Sequence, residues 1–168
     1  MNNISIIGGG IGGLVMALCF EKLDIDYKLY ERAQSIKEVG AGIWLSPNAL
    51  QVMECISPDL LKEVQLAGNS LDRILLADNK FNAISNSDQK FVKDIFGYST
   101  LAIHRGTLQR ILYNYASSEY ITLGKEFKAF KRLNANLIHV DFVDGTNALT
   151  NALIGADGLN SKVRKQLF

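Results

Sequence analysis

Residues 3–32 read NISIIGGGIGGLVMALCFEKLDIDYKLYER. Ile4, Ile6 and Ile7 make a short β-branched run of the kind that fills a strand buried on both faces. That strand runs directly into Gly8, Gly10 and Gly13, spaced G-x-G-x-x-G, and then into residues 14–23, which hold neither Gly nor Pro and are mostly good helix formers. The order is strand, tight turn, helix. After a short polar link, residues 27–30 form a second strand-like run, closed by Glu31.

Each glycine has a physical task in this order. Gly8 makes the turn, Gly10 lets the backbone approach a pyrophosphate, and Gly13 lets helix and strand pack closely. The unpaired amide hydrogens at the start of the helix then face the anion. Glu31 follows Gly13 by 18 positions, close to the ~20 at which a βαβ unit places an acid on a ribose hydroxyl. A glycine-rich turn alone would carry little, but strand, helix, second strand and terminal acid together read as a dinucleotide phosphate site. A carboxylate at Glu31 repels an added 2′-phosphate, which disfavours NADP in this pocket and leaves both FAD and NAD open.

Composition sets the frame. The 168 residues suffice for about one domain, and 48% hydrophobic with 21% charged residues is ordinary for a globular chain with a core. With 18 Lys and Arg against 17 Asp and Glu, the net charge of +1 gives no bulk field for nucleic acid or an anionic membrane. Small-molecule partners are expected instead. Cys19 and Cys55 have no C-x-x-C spacing and no neighbouring His, and read as buried thiols, which suits a reducing cytoplasm. The apolar run 14–20 is far shorter than the ~20 residues of a membrane span, and no basic segment precedes it as in a signal peptide. A cytoplasmic chain is expected.

The first helix is apolar nearly all round, from Leu14 to Phe20, so cover on both sides is expected. Residues 33–45 read as a loop whose Gly40 and Gly42 flank Ala41; such a loop either brings backbone against a flat ligand or is a plain connector. Trp44, the only tryptophan, reads as core. Ser46 and Pro47 open a short helix, Ser57 and Pro58 interrupt it, and a second helix over 59–66 stops at Gly68. Both are expected to pack on one side of a sheet. Residues 74–77 and 81–84 flank a turn at 78–80 as a hairpin, with 86–89 as loop. A strand over 101–103 and a helix over 106–115 follow, then strands over 127–130, 137–143 and 148–154, with Asp144 and Gly145 in a turn. Ser161 caps a last basic helix. His104 and His139 have no partner at metal-ligand spacing. The fold class is α/β, with a parallel sheet begun at the N-terminus and a smaller antiparallel sheet inserted in it.

Four stretches in order, GGGIGG with YER, GAGIWLSPNA, HRGTLQRIL and LIGADGLNSKVR, resemble the flavoprotein monooxygenases of the aromatic-hydroxylase type, such as salicylate hydroxylase. The resemblance implies a Rossmann-like FAD-binding fold and a cofactor set of FAD with NAD(P)H as electron donor. It implies that Gly8, Gly10, Ile11, Gly12 and Gly13 hold the FAD phosphates, that Glu31 holds the adenosine ribose, and that Arg32 lies beside the adenine. Gly42 and Ile43 would approach the flavin, Arg105 the ribityl and phosphate region, and the Phe127 backbone the adenine, with Asp157 near the pyrophosphate and linked to nicotinamide use. Read without the family, Arg105 is more readily a solvated charge before a helix than a ligand contact, and Asp157 with Gly158 is equally a plain turn.

The implied activity is hydroxylation of a small aromatic substrate with NAD(P)H and oxygen. The cofactor carries that reaction, so no catalytic acid or base is named. Two rivals stand: an NAD-dependent dehydrogenase, which the opening βαβ unit alone would allow, and a non-catalytic dinucleotide-binding domain. The family continues with a Gly-Asp flavin motif and a substrate-binding sheet, whereas this sequence runs to Phe168. Residues 1–168 are therefore expected to be the FAD-binding region of a longer enzyme, with an exposed apolar surface or open sheet edge where the rest belongs.

Overall fold

The computed structural model describes residues 3–36 and 40–168. They fall into two compact units, one within residues 1–37 and 112–168 and the other within 38–111.

The first unit is built on a parallel sheet. β1 (Ile4–Ile7) leads through α1 (Ile11–Lys22) to β2 (Tyr27–Glu31), which lies parallel beside β1 with Ile7 opposite Tyr30. Two strands from later in this unit complete the sheet. These are β8 (Ile121–Leu123), parallel to β2, and β12 (Ala152–Gly155), parallel to β1, the labels following chain order. The order β8-β2-β1-β12 is half of the doubly wound arrangement, with the order reversing at β1. An antiparallel sheet joins β9 (Phe127–Asn134), β10 (Leu137–Phe142) and β11 (Asn147–Thr150) in the order β11-β10-β9. Ile7, Phe127, Ile138, Val140, Phe142 and Val163 form one buried cluster, against which Tyr30 and Leu153 pack. Val163 belongs to α6 (Lys162–Leu167), which Ser161 caps by accepting the Arg164 N–H at 2.9 Å.

The second unit holds an antiparallel sheet of β3 (Gly42–Leu45), β7 (Leu101–His104) and β4 (Asn69–Ser70), with β7 in the middle. α2 (Pro47–Ile56) packs on β3, and α3 (Pro58–Ala67) on β4. β5 (Arg73–Ala77) and β6 (Ala83–Asp88) form a hairpin, followed by α4 (Lys90–Phe96). α5 (Arg105–Tyr115) buries Leu108, Ile111 and Leu112, as its apolar spacing implies.

Several expectations are corrected. α1 begins at Ile11, not at residue 14, so Gly12 and Gly13 lie in its first turn. Its burial is one-sided, at Gly13, Leu14, Ala17 and Leu18, while Met16 is exposed. The apolar run 148–154 is two strands in two sheets. Asn151 makes the break, its N–H donating to the Asn3 carbonyl at 2.9 Å and its side-chain amide to the Asn136 carbonyl at 2.6 Å. Residues 42–45 of the expected loop pair with β7 as a strand, and the part on residues 37–39 lies outside the described residues. Trp44 is 62% exposed, because its position on β3 points away from buried Leu45. Cys55 is exposed and Cys19 half-buried, both unpaired. In the hairpin, Phe81 belongs to the turn and 86–88 to the strand; the turn is set by Asp78, whose carboxylate accepts the Lys80 and Asn82 N–H groups at 2.8 Å each. β4, β8 and α4 were not foreseen, since two or three residues give no periodicity and α4 buries none of its side chains.

Candidate functional site

The carboxyl ends of β12, β1 and β2 end level, because Gly155, Ile7 and Tyr30 are in register across the sheet. The ladder continues one step past the strands: the Gly8 N–H donates to the Tyr30 carbonyl, and the Ala156 N–H to the Ile7 carbonyl, both at 2.8 Å. Three segments thus meet at one edge, namely the turn 8–13, Glu31 and the turn 155–158. In an open parallel sheet this edge, at the reversal of strand order, is where ligands bind.

Packing explains some of the glycines and leaves others. Gly8 has φ +108, and a Cβ there would lie 2.5 Å from the Ala156 carbonyl oxygen. At Gly13 a Cβ would lie 1.9 Å from the Gly8 carbonyl oxygen, so helix and turn touch only because the side chain is absent. At Gly10 and Gly12 a Cβ would meet nothing within 4 Å. The bare backbone at those two positions borders open space, as a surface for close approach of a phosphate requires. Gly10 is the N-cap of α1 and provides no side-chain cap, and no acidic residue lies in the first turn. The start of α1 thus has neither a side-chain cap nor an acidic residue, the arrangement in which a helix N-terminus favours an anion.

Glu31 is fixed in place. One carboxylate oxygen accepts the Gly9 N–H at 2.6 Å and the other the Ala33 N–H at 2.8 Å, joining the end of β2 to the glycine turn. Each oxygen keeps a lone pair for a hydroxyl donor. Arg32 is exposed, and its charge acts on Glu126. Glu126 is held below its ordinary carboxylate range chiefly by the hydrogen bond from Lys162 Nζ, at 2.6 Å. Phe127 buries its ring in the core, and its carbonyl accepts from Lys162 Nζ at 3.4 Å.

Asp157 turns toward its own chain. It accepts the Ser161 hydroxyl with one oxygen, and with the other the N–H groups of Lys162 at 2.7 Å and Val163 at 3.2 Å. Partial burial is the largest single influence and pushes its carboxyl up, but these hydrogen bonds together hold it below its ordinary value. The carboxylate thus caps α6 and stiffens the turn on which Gly8 rests.

In the second unit, Gly42 and Ile43 begin β3, opposite His104 and Ile103 of β7. A Cβ at Gly42 would meet nothing within 4 Å. Arg105 is exposed at the start of α5, and its N–H donates to the Ala41 carbonyl at 3.1 Å. No bonding role for Gly9, Lys162 or His104 is legible in the sequence. The first is the N–H partner of Glu31, the second spans Glu126 and the Phe127 carbonyl, and the third bonds the Gly40 carbonyl. All three stand in quoted stretches, but a backbone donor, a lysine in a basic run and a histidine without a metal partner carry no signal of these bonds in one sequence. Among the described residues no cluster of side chains could hold a metal ion, and no helix is long and apolar enough to cross a membrane.

No protein-family model matches the chain. The aurachin C monooxygenase/isomerase of Stigmatella aurantiaca is 32% identical over 165 residues, which cover 98% of this chain and 42% of that protein. The 3-amino-4-hydroxybenzoate 2-monooxygenase of Streptomyces cremeus is 28% identical over 165 residues, covering 98% of this chain and 41% of its own length. A solved structure of a Klebsiella pneumoniae HpxO variant complexed with FAD matches with a TM-score of 0.82 and 26% identity, over 96% of this chain and 41% of that one. The chain spans about two-fifths of the length of these relatives. None of the three is a dehydrogenase by name, so the NAD-dependent alternative is not favoured. Over nearly its whole length the chain is thus similar, in sequence and in fold, to one part of FAD-dependent monooxygenases.

Proposed function

We propose that residues 1–168 form the FAD-binding region of a monooxygenase that hydroxylates a small aromatic substrate with NAD(P)H and oxygen. The observation that carries this reading is the meeting of the glycine turn, Glu31 and the turn 155–158 at the level ends of β1, β2 and β12. The relative acting on 3-amino-4-hydroxybenzoate and the FAD complex of HpxO support the substrate class and the cofactor.

In this reading the bare backbone at Gly10 and Gly12 and the first amides of α1, from Ile11 to Gly13, take the FAD pyrophosphate. Glu31 accepts from the adenosine ribose with its remaining lone pairs, and Arg32 lies beside the adenine with the Phe127 backbone. Gly42 and Ile43 give the flavin a side-chain-free approach at Gly42, and Arg105 supplies a cation for the ribityl and phosphate region. Asp157 acts at the pyrophosphate through the turn it stiffens. FAD, when bound, would supply the redox chemistry between NAD(P)H and oxygen, while the protein's part would be to bind, orient and exclude water. The substrate pocket needs further polypeptide of the kind that fills the remaining length of the relatives, and the cytoplasm, with its reduced thiols and NAD(P)H, suits the scheme.

Competition binding separates the cofactors: FAD should bind the chain and resist displacement by NAD or NADP. Displacement of FAD by NAD at comparable concentration would return the site to a dehydrogenase. Hydroxylation is read by mass in a protein that carries this region together with a substrate pocket, as one oxygen atom gained from labelled O2 by a hydroxybenzoate in the presence of NADH or NADPH. Electron consumption without incorporated label would reject the monooxygenase assignment.

A further inference from the structure

The stretch HRGTLQRIL gives Arg105 to the proposed site and leaves its histidine without a part. His104 is the last residue of β7, opposite Gly42 at the start of β3. Its ring Nε2 lies 2.8 Å from the carbonyl oxygen of Gly40. A carbonyl oxygen only accepts, so Nε2 carries the hydrogen, and both the neutral Nε2–H tautomer and the imidazolium can donate it. One residue later the Arg105 N–H holds the Ala41 carbonyl at 3.1 Å. Gly40 has φ +132, and a Cβ there would press within 3.3 Å of the Arg105 side chain. Two successive carbonyls ahead of β3 are therefore gripped from β7 and the first residue of α5. The grip carries the β3–β7 pairing past its last ladder partner, onto exposed residues 40 and 41 that belong to no helix or strand. Exposed backbone outside a ladder opens easily unless something holds it.

We propose that His104 is a positioning residue for FAD: by holding the Gly40 carbonyl it fixes the backbone that delivers Gly42 and Ile43 to the flavin. This rests on the functional reading above. The imidazole itself does not touch the cofactor; it acts through the main chain.

The test compares the full chain with His104→Ala, His104→Phe and His104→Gln. The first two remove the donor, with and without the volume, and the Gln amide nitrogen can stand where Nε2 stands. Amide hydrogen exchange without FAD should quicken at residues 41–43 in the Ala and Phe variants, with thermal unfolding unchanged, and return to the wild-type rate with Gln. The FAD dissociation constant should rise roughly fivefold in the first two variants, about the worth of one hydrogen bond. The visible circular dichroism of the bound flavin should change with it, and Gln should restore both. Unchanged exchange in both donor-less variants would overturn the inference, as would quickened exchange with unaltered FAD affinity and flavin dichroism. A wild-type chain that binds no FAD would instead defeat the functional reading, and the exchange comparison would still decide whether His104 holds the segment.

Discussion

Gly13 and Gly10 sit three residues apart in one turn and have opposite reasons to lack a side chain. A methyl group at Gly13 would lie 1.9 Å from the Gly8 carbonyl oxygen, so Gly13→Ala must pry the helix from the turn. Stability should fall by about 1–3 kcal/mol or more, read by denaturant unfolding. Gly10→Ala puts its methyl into open space. That variant should unfold within about 1 kcal/mol of the wild type, while FAD affinity drops about tenfold or more, because the methyl occupies the path of the pyrophosphate. Asp157 adds a pH dependence. Its carboxyl is held below the ordinary value in the folded chain, so the stability it contributes is full above the ordinary carboxylate range and is lost as pH falls through the lowered value. Asp144, brought down to about 2 by the hydrogen bond from Lys125, acts in the same direction. Asp157→Asn keeps one acceptor oxygen but loses the charge that strengthens these hydrogen bonds, and should cost about 1 kcal/mol at neutral pH. Acid titration of its unfolding free energy should be flatter below about pH 4 than that of the wild type.

At the scale of elements, α6 is short and depends on its cap. Ser161→Ala leaves the Arg164 N–H without its acceptor, and should lower stability by about 1 kcal/mol. Because Val163 of this helix lies in the core cluster, the loss should show in chemical unfolding followed by Trp-independent far-UV dichroism. The hairpin offers the opposite sign. Phe81 has φ 63 and is 92% exposed, a bulky residue in the left-handed region that buries almost nothing. Phe81→Gly should therefore raise the thermal midpoint slightly, by up to about 1 kcal/mol of stability. These elements also mark how far the sequence could be read. The β1–α1–β2 unit was legible because apolar runs, glycine spacing and a terminal acid all agree, and Glu31 does close back on the turn through Gly9. The split of residues 148–154 was not legible, since an unbroken apolar run hides a change of sheet that Asn151 makes through contacts with residues 3 and 136. The hairpin misled by a few residues for a related reason. With both of its strands largely exposed, no alternation reports which residues pair.

At the scale of the molecule, residues far apart in sequence meet for a topological reason. β12 closes against β1 although their partners Ile4 and Ala152 stand at opposite ends of the chain, and only this pairing sets the turn 155–158 on Gly8. A single sequence carries no record of that pairing, so the Asp157 turn could be read as a plain bend until the sheet order was known. Exposed apolar side chains lie at Leu75, Leu76, Phe81, Ile84, Phe91 and Ile95 of the second unit. FAD binding at the glycine turn is the role proposed for this chain. It is tested most directly by loading the purified protein with FAD, removing the excess and recording the visible absorption spectrum, alongside Gly10→Ala. The account predicts a retained flavin spectrum near one equivalent per wild-type chain and a clear loss in the variant. A folded wild-type chain that keeps no flavin, or a variant that keeps as much, would contradict it.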